Sequence, residues 1–203
     1  MKKKRLSYAI PFGFLAIIVL LCAWSIAEKS IKPDDFAPFV EFWTVLLWMG
    51  LAFYPLAALL FRKFSDKGYF FGKVLGIVIS GWLVWFLSSI HVVKFSRVGS
   101  IVILVLCAVA NYGLAYYFCR KKKVSLLAFL GLTDGSAVPA KALWYEAAFF
   151  ALFAALTYLK CFNPEAFGTE RPMDYGFMMS MMKSDYMPPE DFWYSGTDLN
   201  YYY

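Results

Sequence analysis

Five long apolar stretches, at about 6–27, 39–61, 70–92, 99–119 and 142–160, alternate with short polar connections that hold most of the lysine and arginine. A hydrocarbon layer about 30 Å thick is crossed by roughly 20 helical residues, so each stretch predicts a transmembrane helix. Pro33, Pro38, Gly68 and Pro139 punctuate the connections, while Pro11 and Pro55 fall inside spans and predict kinks. Beyond the fifth stretch the pattern changes. From Met173, the side chains of Phe177, Met178, Met181 and Met182 recur every three or four residues on a segment too short to span, which predicts a helix lying flat on the membrane surface. Asn163-Pro164 is expected to close the fifth helix, Pro188-Pro189 to force an extended chain, and Gly196 to make a turn. The expected fold is an all-α integral membrane protein of about five transmembrane helices followed by an outer loop with a short interfacial helix. Residues 1–30 form an additional amino-terminal span or signal anchor, 39–160 a four-span membrane domain, and 161–203 an acidic and aromatic loop.

Composition agrees: 61% hydrophobic and 21% aromatic residues with 17% charge would expose too much apolar surface in water. The net charge of +6 does not indicate nucleic acid, because the basic residues edge the apolar stretches rather than line one face of a soluble domain. They alternate by side instead. Lys2, Lys3, Lys4 and Arg5 precede the first span, Arg62, Lys63, Lys67 and Lys73 follow the second, and Arg120, Lys121, Lys122, Lys123 and Lys141 lie between the fourth and fifth. The opposite connections hold Lys29 and Lys32, then Lys94 and Arg97. The positive-inside rule therefore places the amino terminus in the cytoplasm and residues 161–203 outside the cytoplasmic membrane. The first stretch also mimics a signal peptide ending at Ser25-Ile26-Ala27, though its apolar run is long for one and favours an uncleaved anchor. The four cysteines show no metal or redox spacing and are expected as four isolated membrane thiols, with a Cys22–Cys161 bridge as the alternative that their placement near the outer surface allows.

Ionisable groups in hydrocarbon need a reason. Glu41 and His91 are expected at the outer interface and Lys73 at the inner one, snorkelling toward water. Glu146 falls one turn inside the fifth span beside Trp144 and Tyr145, where it either pairs with a cytoplasmic lysine or orients a carrier lipid. Gly72-x-x-x-Gly76 allows close helix approach. In the outer loop Glu165, Glu170, Asp174, Asp185, Glu190, Asp191 and Asp198 are concentrated enough to suit a cation. Pro172 suits the first turn of a helix and Asp174 complements the exposed amides of that turn. Held at the membrane surface, Glu170 and Asp174 would meet a lipid-linked phosphate and a divalent ion. Trp193, Tyr194 and the terminal tyrosines suit either a membrane interface or stacking on a sugar ring. No glycine-rich phosphate loop, His-Glu-x-x-His or Gly-x-Ser-x-Gly is present.

The residues Glu170-Arg171-Pro172-Met173-Asp174, Met187-Pro188-Pro189-Glu190-Asp191-Phe192-Trp193, Gly196 and Asn200-Tyr201-Tyr202-Tyr203 resemble the signature of the uncharacterised YYY membrane protein family of bacteria and archaea. Tyr54-Pro55-Leu56, Asp66-Lys67-Gly68-Tyr69, Lys73-Val74-Leu75-Gly76 and Trp144-x-Glu146 extend the resemblance over most of 50–203, with the first span additional to it. That family is similar to membrane glycosyltransferases that take sugars from polyprenyl-phosphate carriers. The resemblance implies Glu170 or Asp174 as a base or divalent-metal ligand and Asp191 as a second catalytic candidate. It implies Arg171, Trp193, Tyr201, Tyr202 and Glu146 in binding a polyprenyl-phosphate sugar. Family members continue with many more helices after the tyrosines, so the chain is expected to be an amino-terminal portion that is inactive alone. A non-catalytic scaffold docking a partner through Trp193 and the tyrosines is the alternative. A transporter is the third reading, and the lack of charge deep in the spans argues against it.

Overall fold

The computed structural model describes Ala16 and residues 33–133, 135–162, 168, 170–194 and 196–200. The expected span 6–27, the Cys22–Cys161 bridge, Asn163-Pro164 and the terminal tyrosines lie outside the described residues or side chains. Six helices are described: α1 (Pro33–Leu60), α2 (Tyr69–Ser89), α3 (Arg97–Lys122), the single turn α4 (Leu126–Phe129), α5 (Val138–Cys161) and α6 (Arg171–Lys183). Four of them, α1, α2, α3 and α5, are long and apolar enough to cross a membrane.

The boundaries follow local chemistry, and some differ from the sequence expectation. Pro38 lies inside α1 rather than before it, near enough to the amino-terminal end to leave one carbonyl unpaired without stopping the helix. Pro139 does not separate helices but sits in the first turn of α5, where a missing N–H is harmless. Helix α3 extends to Lys122 because Arg120, Lys121 and Lys122 complement the dipole of its last turn. Helix α2 starts at a tight turn. Gly68, at φ +75°, allows the Asp66 carboxylate to accept from the amides of Gly68 and Phe70 at 3.2 Å each.

Packing begins with α1 against α2. A Cβ added to Gly72 would sit 2.7 Å from the carbonyl oxygen of Gly50, and one on Gly76 would sit 2.9 Å from that of Met49. The two backbones are in contact along the glycine pair noted in the sequence. Helix α3 joins through the defect at Pro55. Proline cannot donate to the Leu51 carbonyl one turn earlier. The Tyr112 hydroxyl donates to that oxygen at 3.2 Å, and the Asn111 amide to the next carbonyl, Ala52, at 3.0 Å. Helix α5 meets α1 through rings: Phe39 and Trp43 each meet Phe150 edge-on at 5.5 and 5.3 Å, and Phe39 stacks on Phe153 at 4.9 Å.

Each end of the bundle is tied separately. At one end the Tyr54 hydroxyl donates to the Leu130 carbonyl, and Lys67 donates to the carbonyls of Ala128 (3.1 Å) and Phe129 (2.7 Å), closing the end of α4. Lys141 reaches Ser65 at that same end. At the other end Arg97 pairs with Glu41, Lys94 with Asp185 at 2.8 Å, and the amide of Phe95 donates to the Asp185 carbonyl at 2.7 Å. His91 stacks on Tyr186 with ring centres 4.6 Å apart. Residues 185–186 thus share an end with the α2–α3 loop and Glu41, and the basic loops share the other, as the alternation of charge predicts. These contacts establish which groups lie together.

The segment after α6 is not helical at Pro188-Pro189; it bends over 185–188, where an extended chain was expected, and then folds back on itself. Glu190 and Asp198 form an antiparallel bridge, the Leu199 amide donates to the Pro189 carbonyl at 2.7 Å, and the Asp191 amide to that of Thr197 at 2.8 Å. Met187, Pro189 and Leu199 are buried in the result. The predicted apolar stripe of α6 divides. Phe177 turns inward, 4% exposed, and meets Phe192 and Trp193 edge-on, whereas Met178 and Met182 stay outside at 60% and 72%. The aromatic rings offered by 192–193 are a better partner for Phe177 than the surface its neighbours face.

Gly72→Ala should lower the stability of the detergent-solubilised protein by about 1–3 kcal/mol, because the methyl meets backbone that must move away. Gly81→Ala, with nothing within 4 Å, should leave the unfolding midpoint unchanged or raise it. Equal effects in a denaturant titration would refute the glycine contact.

Candidate functional site

Two places concentrate polar side chains, and they lie at opposite ends of the bundle. The first is in the membrane, one to two turns from the end that carries the basic loops. The Glu146 carboxylate pairs with Lys73 and accepts from the Tyr69 hydroxyl at 2.9 Å, both on Oε1. The two charged side chains are 11% and 15% exposed, and the Lys73 ammonium stands 4.9 Å above the Phe149 ring. Oε2 of Glu146 is buried with no protein partner among the described residues. The sequence allowed a lysine partner for Glu146, and Lys73 is that partner. Lys73 therefore does not snorkel. A carboxylate within reach in low dielectric is a stronger attraction than the distant water layer. Glu146 is held at the opposite end of the bundle from Arg171 and Trp193, with which the resemblance grouped it, and its geometry is that of a brace between α2 and α5.

The second place is the carboxy-terminal unit, α6 with the folded segment after it. Glu170 is the N-cap residue of α6, exposed and making no side-chain cap bond, and Asp174 is exposed in the first turn. Asp174 therefore complements the helix end by charge alone. Arg171 is exposed at the same end. Asp191 is held in a local turn through one oxygen: its Oδ1 accepts from the amides of Trp193 at 2.8 Å and Tyr194 at 3.1 Å. Glu190 Oε1 accepts from the amide of Gly196 at 3.2 Å. On the other side of the bridge, Ser180 of α6 donates to the Glu190 carbonyl.

Between α6 and residues 190–192 lies a cleft of about 450 Å³, lined by Tyr175, Ser180, Lys183, Glu190, Asp191 and Phe192 among others. Its walls on α6 are two adjacent rows four residues apart, Tyr175-Met179-Lys183 and Gly176-Ser180-Ser184. At about 100° per residue, Asp174 falls on the far side of the helix with Met178. Of the three acids singled out in the sequence, only Asp191 borders the cleft. The two predicted metal ligands, Glu170 and Asp174, stand one turn apart on α6, and among the described residues no group of three or more His, Cys, Asp or Glu side chains gathers to hold an ion. Two carboxylates alone would leave most of a divalent ion's coordination to water or to a phosphate. Sequence reading missed Lys183, Tyr175 and Ser180. Their three- and five-residue spacing along α6 was visible, but nothing showed that 190–192 would cover that face. Trp193 and Tyr194 are 63% and 72% exposed, outside the cleft; Tyr201 and Tyr202 lie outside the described residues.

Four apolar spans, charge confined to their ends and to one buried pair, and a small folded appendage at one end define a polytopic all-α membrane protein. The chain belongs to the family described as Uncharacterized membrane protein (DUF2298), whose model matches residues 79–203, more than half of its length and all of the carboxy-terminal unit. No curated protein and no solved structure matches it.

Lys73→Met should destabilise the protein by about 3–5 kcal/mol by leaving Glu146 buried without a counter-charge, and Lys73→Met with Glu146→Leu should recover most of that loss. A double-mutant cycle on unfolding in detergent checks it. Additive losses would mean that the pair is not coupled.

Proposed function

We propose that this chain forms the opening part of a membrane glycosyltransferase that takes a sugar from a polyprenyl-phosphate carrier at the extracytoplasmic face of the cytoplasmic membrane. The observation that carries the reading is the cleft beside α6, which combines Lys183, two carboxylate residues and two rings, Tyr175 and Phe192, in one concave surface. That combination suits a phosphate-linked sugar: a cation for the phosphate, carboxylates for hydroxyl groups, and aromatic faces for the ring. Asp191 is the base of this proposal. Both of its turn hydrogen bonds fall on Oδ1, which holds the carboxylate in one orientation for an acceptor hydroxyl.

Glu170 and Asp174, with Met178 and Met182 on the exposed side of α6, are proposed to face the membrane surface beside the carrier's lipid. The resemblance to the YYY family and its glycosyltransferase-like relatives supports this reading, as does the excess of basic residues at the opposite end. The scaffold reading draws on the exposure of Trp193 and Tyr194, which together present an aromatic ridge suited to a protein partner.

The test uses the full natural polypeptide in membranes supplied with a labelled polyprenyl-phosphate sugar. Asp191→Asn keeps the turn, since an amide oxygen accepts the same two bonds, and should lower turnover by roughly 10²-fold or more. Lys183→Ala should raise KM with less effect on kcat. Undiminished transfer in Asp191→Asn, Glu170→Gln and Asp174→Asn would remove the enzyme reading, and a partner crosslinked through Trp193 in the same membranes would favour the scaffold.

A further inference from the structure

At the end of the bundle away from the carboxy-terminal unit, the last turns of α1 and α3 and the short α4 enclose a pocket of about 120 Å³. Arg62, Phe118, Cys119, Lys122, Val124 and Phe129 line it, mostly with apolar atoms. The Arg62 Nε donates to the Leu59 carbonyl at 3.1 Å, which ties the base of the guanidinium to the end of α1. Among the described residues neither Arg62 nor Lys122 has a carboxylate in ion-pair range. The described ion pairs are Lys73–Glu146, Lys94–Asp185 and Arg97–Glu41. Asp66, the acid closest in sequence, is buried and committed to the amides of Gly68 and Phe70.

Two cationic side chains thus border one apolar hollow at the end of the spans that carries the basic loops. The helix carbonyls at this end oppose an anion, but Arg120, Lys121 and Lys122 already offset the dipole of α3. The pocket is too small for a whole lipid and large enough for a head-group phosphate. Beside it, Leu60, Val124 and Leu127 present exposed apolar surface along which an acyl chain can run. A freely diffusing anion would have no use for that surface.

We infer that Arg62 and Lys122 form a binding site for the phosphate diester of an anionic phospholipid, in the leaflet at the basic end of the bundle. The guanidinium supplies a paired donor to two phosphate oxygens, Lys122 a point charge from the other side, and the Phe118 and Phe129 rings shield the contact from water. The site ties the ends of α1 and α3 together through a lipid, and it is independent of the cleft beside α6 and of the enzyme reading.

The experiment titrates the detergent-solubilised full chain with phosphatidylglycerol and follows retained lipid by native mass spectrometry, with phosphatidylcholine and inorganic phosphate as parallel probes. Arg62→Gln and Lys122→Gln should each weaken phosphatidylglycerol binding about fivefold and together by at least tenfold. Lys63→Gln and Lys121→Gln, which remove equal charge from outside the pocket, should change it less than twofold. Thermal melts without lipid establish that each variant is folded; since both pocket cations are at the surface, their midpoints should match the parent. Equal losses in the two sets of variants, equal retention of phosphatidylcholine, or binding of inorganic phosphate as tight as that of the lipid would each overturn the assignment.

Discussion

Every polar atom placed in hydrocarbon has to find a partner inside the protein, and that constraint organises this fold. Pro55 removes a backbone donor in the middle of α1, and the carbonyl it abandons would be a standing penalty in lipid. Tyr112 fills the place, with Asn111 on the adjacent carbonyl. A defect in one helix thereby becomes the attachment point for another. Glu146 poses the same demand with a full charge, and Lys73 and Tyr69 answer it. Between hydrocarbon and protein there is no hydrophobic gain in simply burying leucine, so such polar closures and the backbone contact at Gly72 and Gly76 carry much of the specificity of packing.

The two ends of the bundle solve a different problem, that of finishing helices where water begins. At the basic end, Lys67 and Tyr54 reach across to carbonyls at the end of α4, and Asp66 receives the first amides of α2. The contacts of Tyr54 and Lys67 join segments far apart in the chain, all of them to backbone, and they leave the many other cations available to the membrane surface. At the other end too the contacts run between segments far apart in the chain. Asp185 is bonded through its backbone to Phe95 and through its side chain to Lys94, which that hydrogen bond holds above the usual ammonium range. The carboxy-terminal unit is therefore joined to the α2–α3 loop, and its cleft is presented by an anchored body.

Much of this was legible before any coordinate. Length and hydropathy decide the spans, because a helix either fills the hydrocarbon or does not. The glycine pair at 72 and 76 was legible because only a missing side chain allows backbones to touch. That Glu146 needs a cation was legible, since a buried carboxylate must be neutralised. The choice of Lys73 was not, because it depends on the rotation of α2 about its axis. The stripe of α6 was half legible: spacing showed which residues share a face, but Phe177 was claimed by Phe192 and Trp193, which arrive from ten and more residues further on.

Asp191 and Glu190 show the same limit at the candidate site. In the sequence they are two more acids in an acidic stretch, equivalent to Glu170 and Asp174. Folding separates the four, because the antiparallel return of 196–199 along 189–191 turns one pair toward the Lys183 row of α6 and leaves the other on the opposite face. The sequence by itself determined the membrane character, the number of the described spans and the presence of an acidic segment after them, since these rest on composition and on transfer free energies that are nearly additive along a chain. Tertiary structure alone decided which charges meet, which carbonyls are rescued and where a concave surface forms, because those depend on the relative rotation and register of elements, to which additive transfer energies are blind.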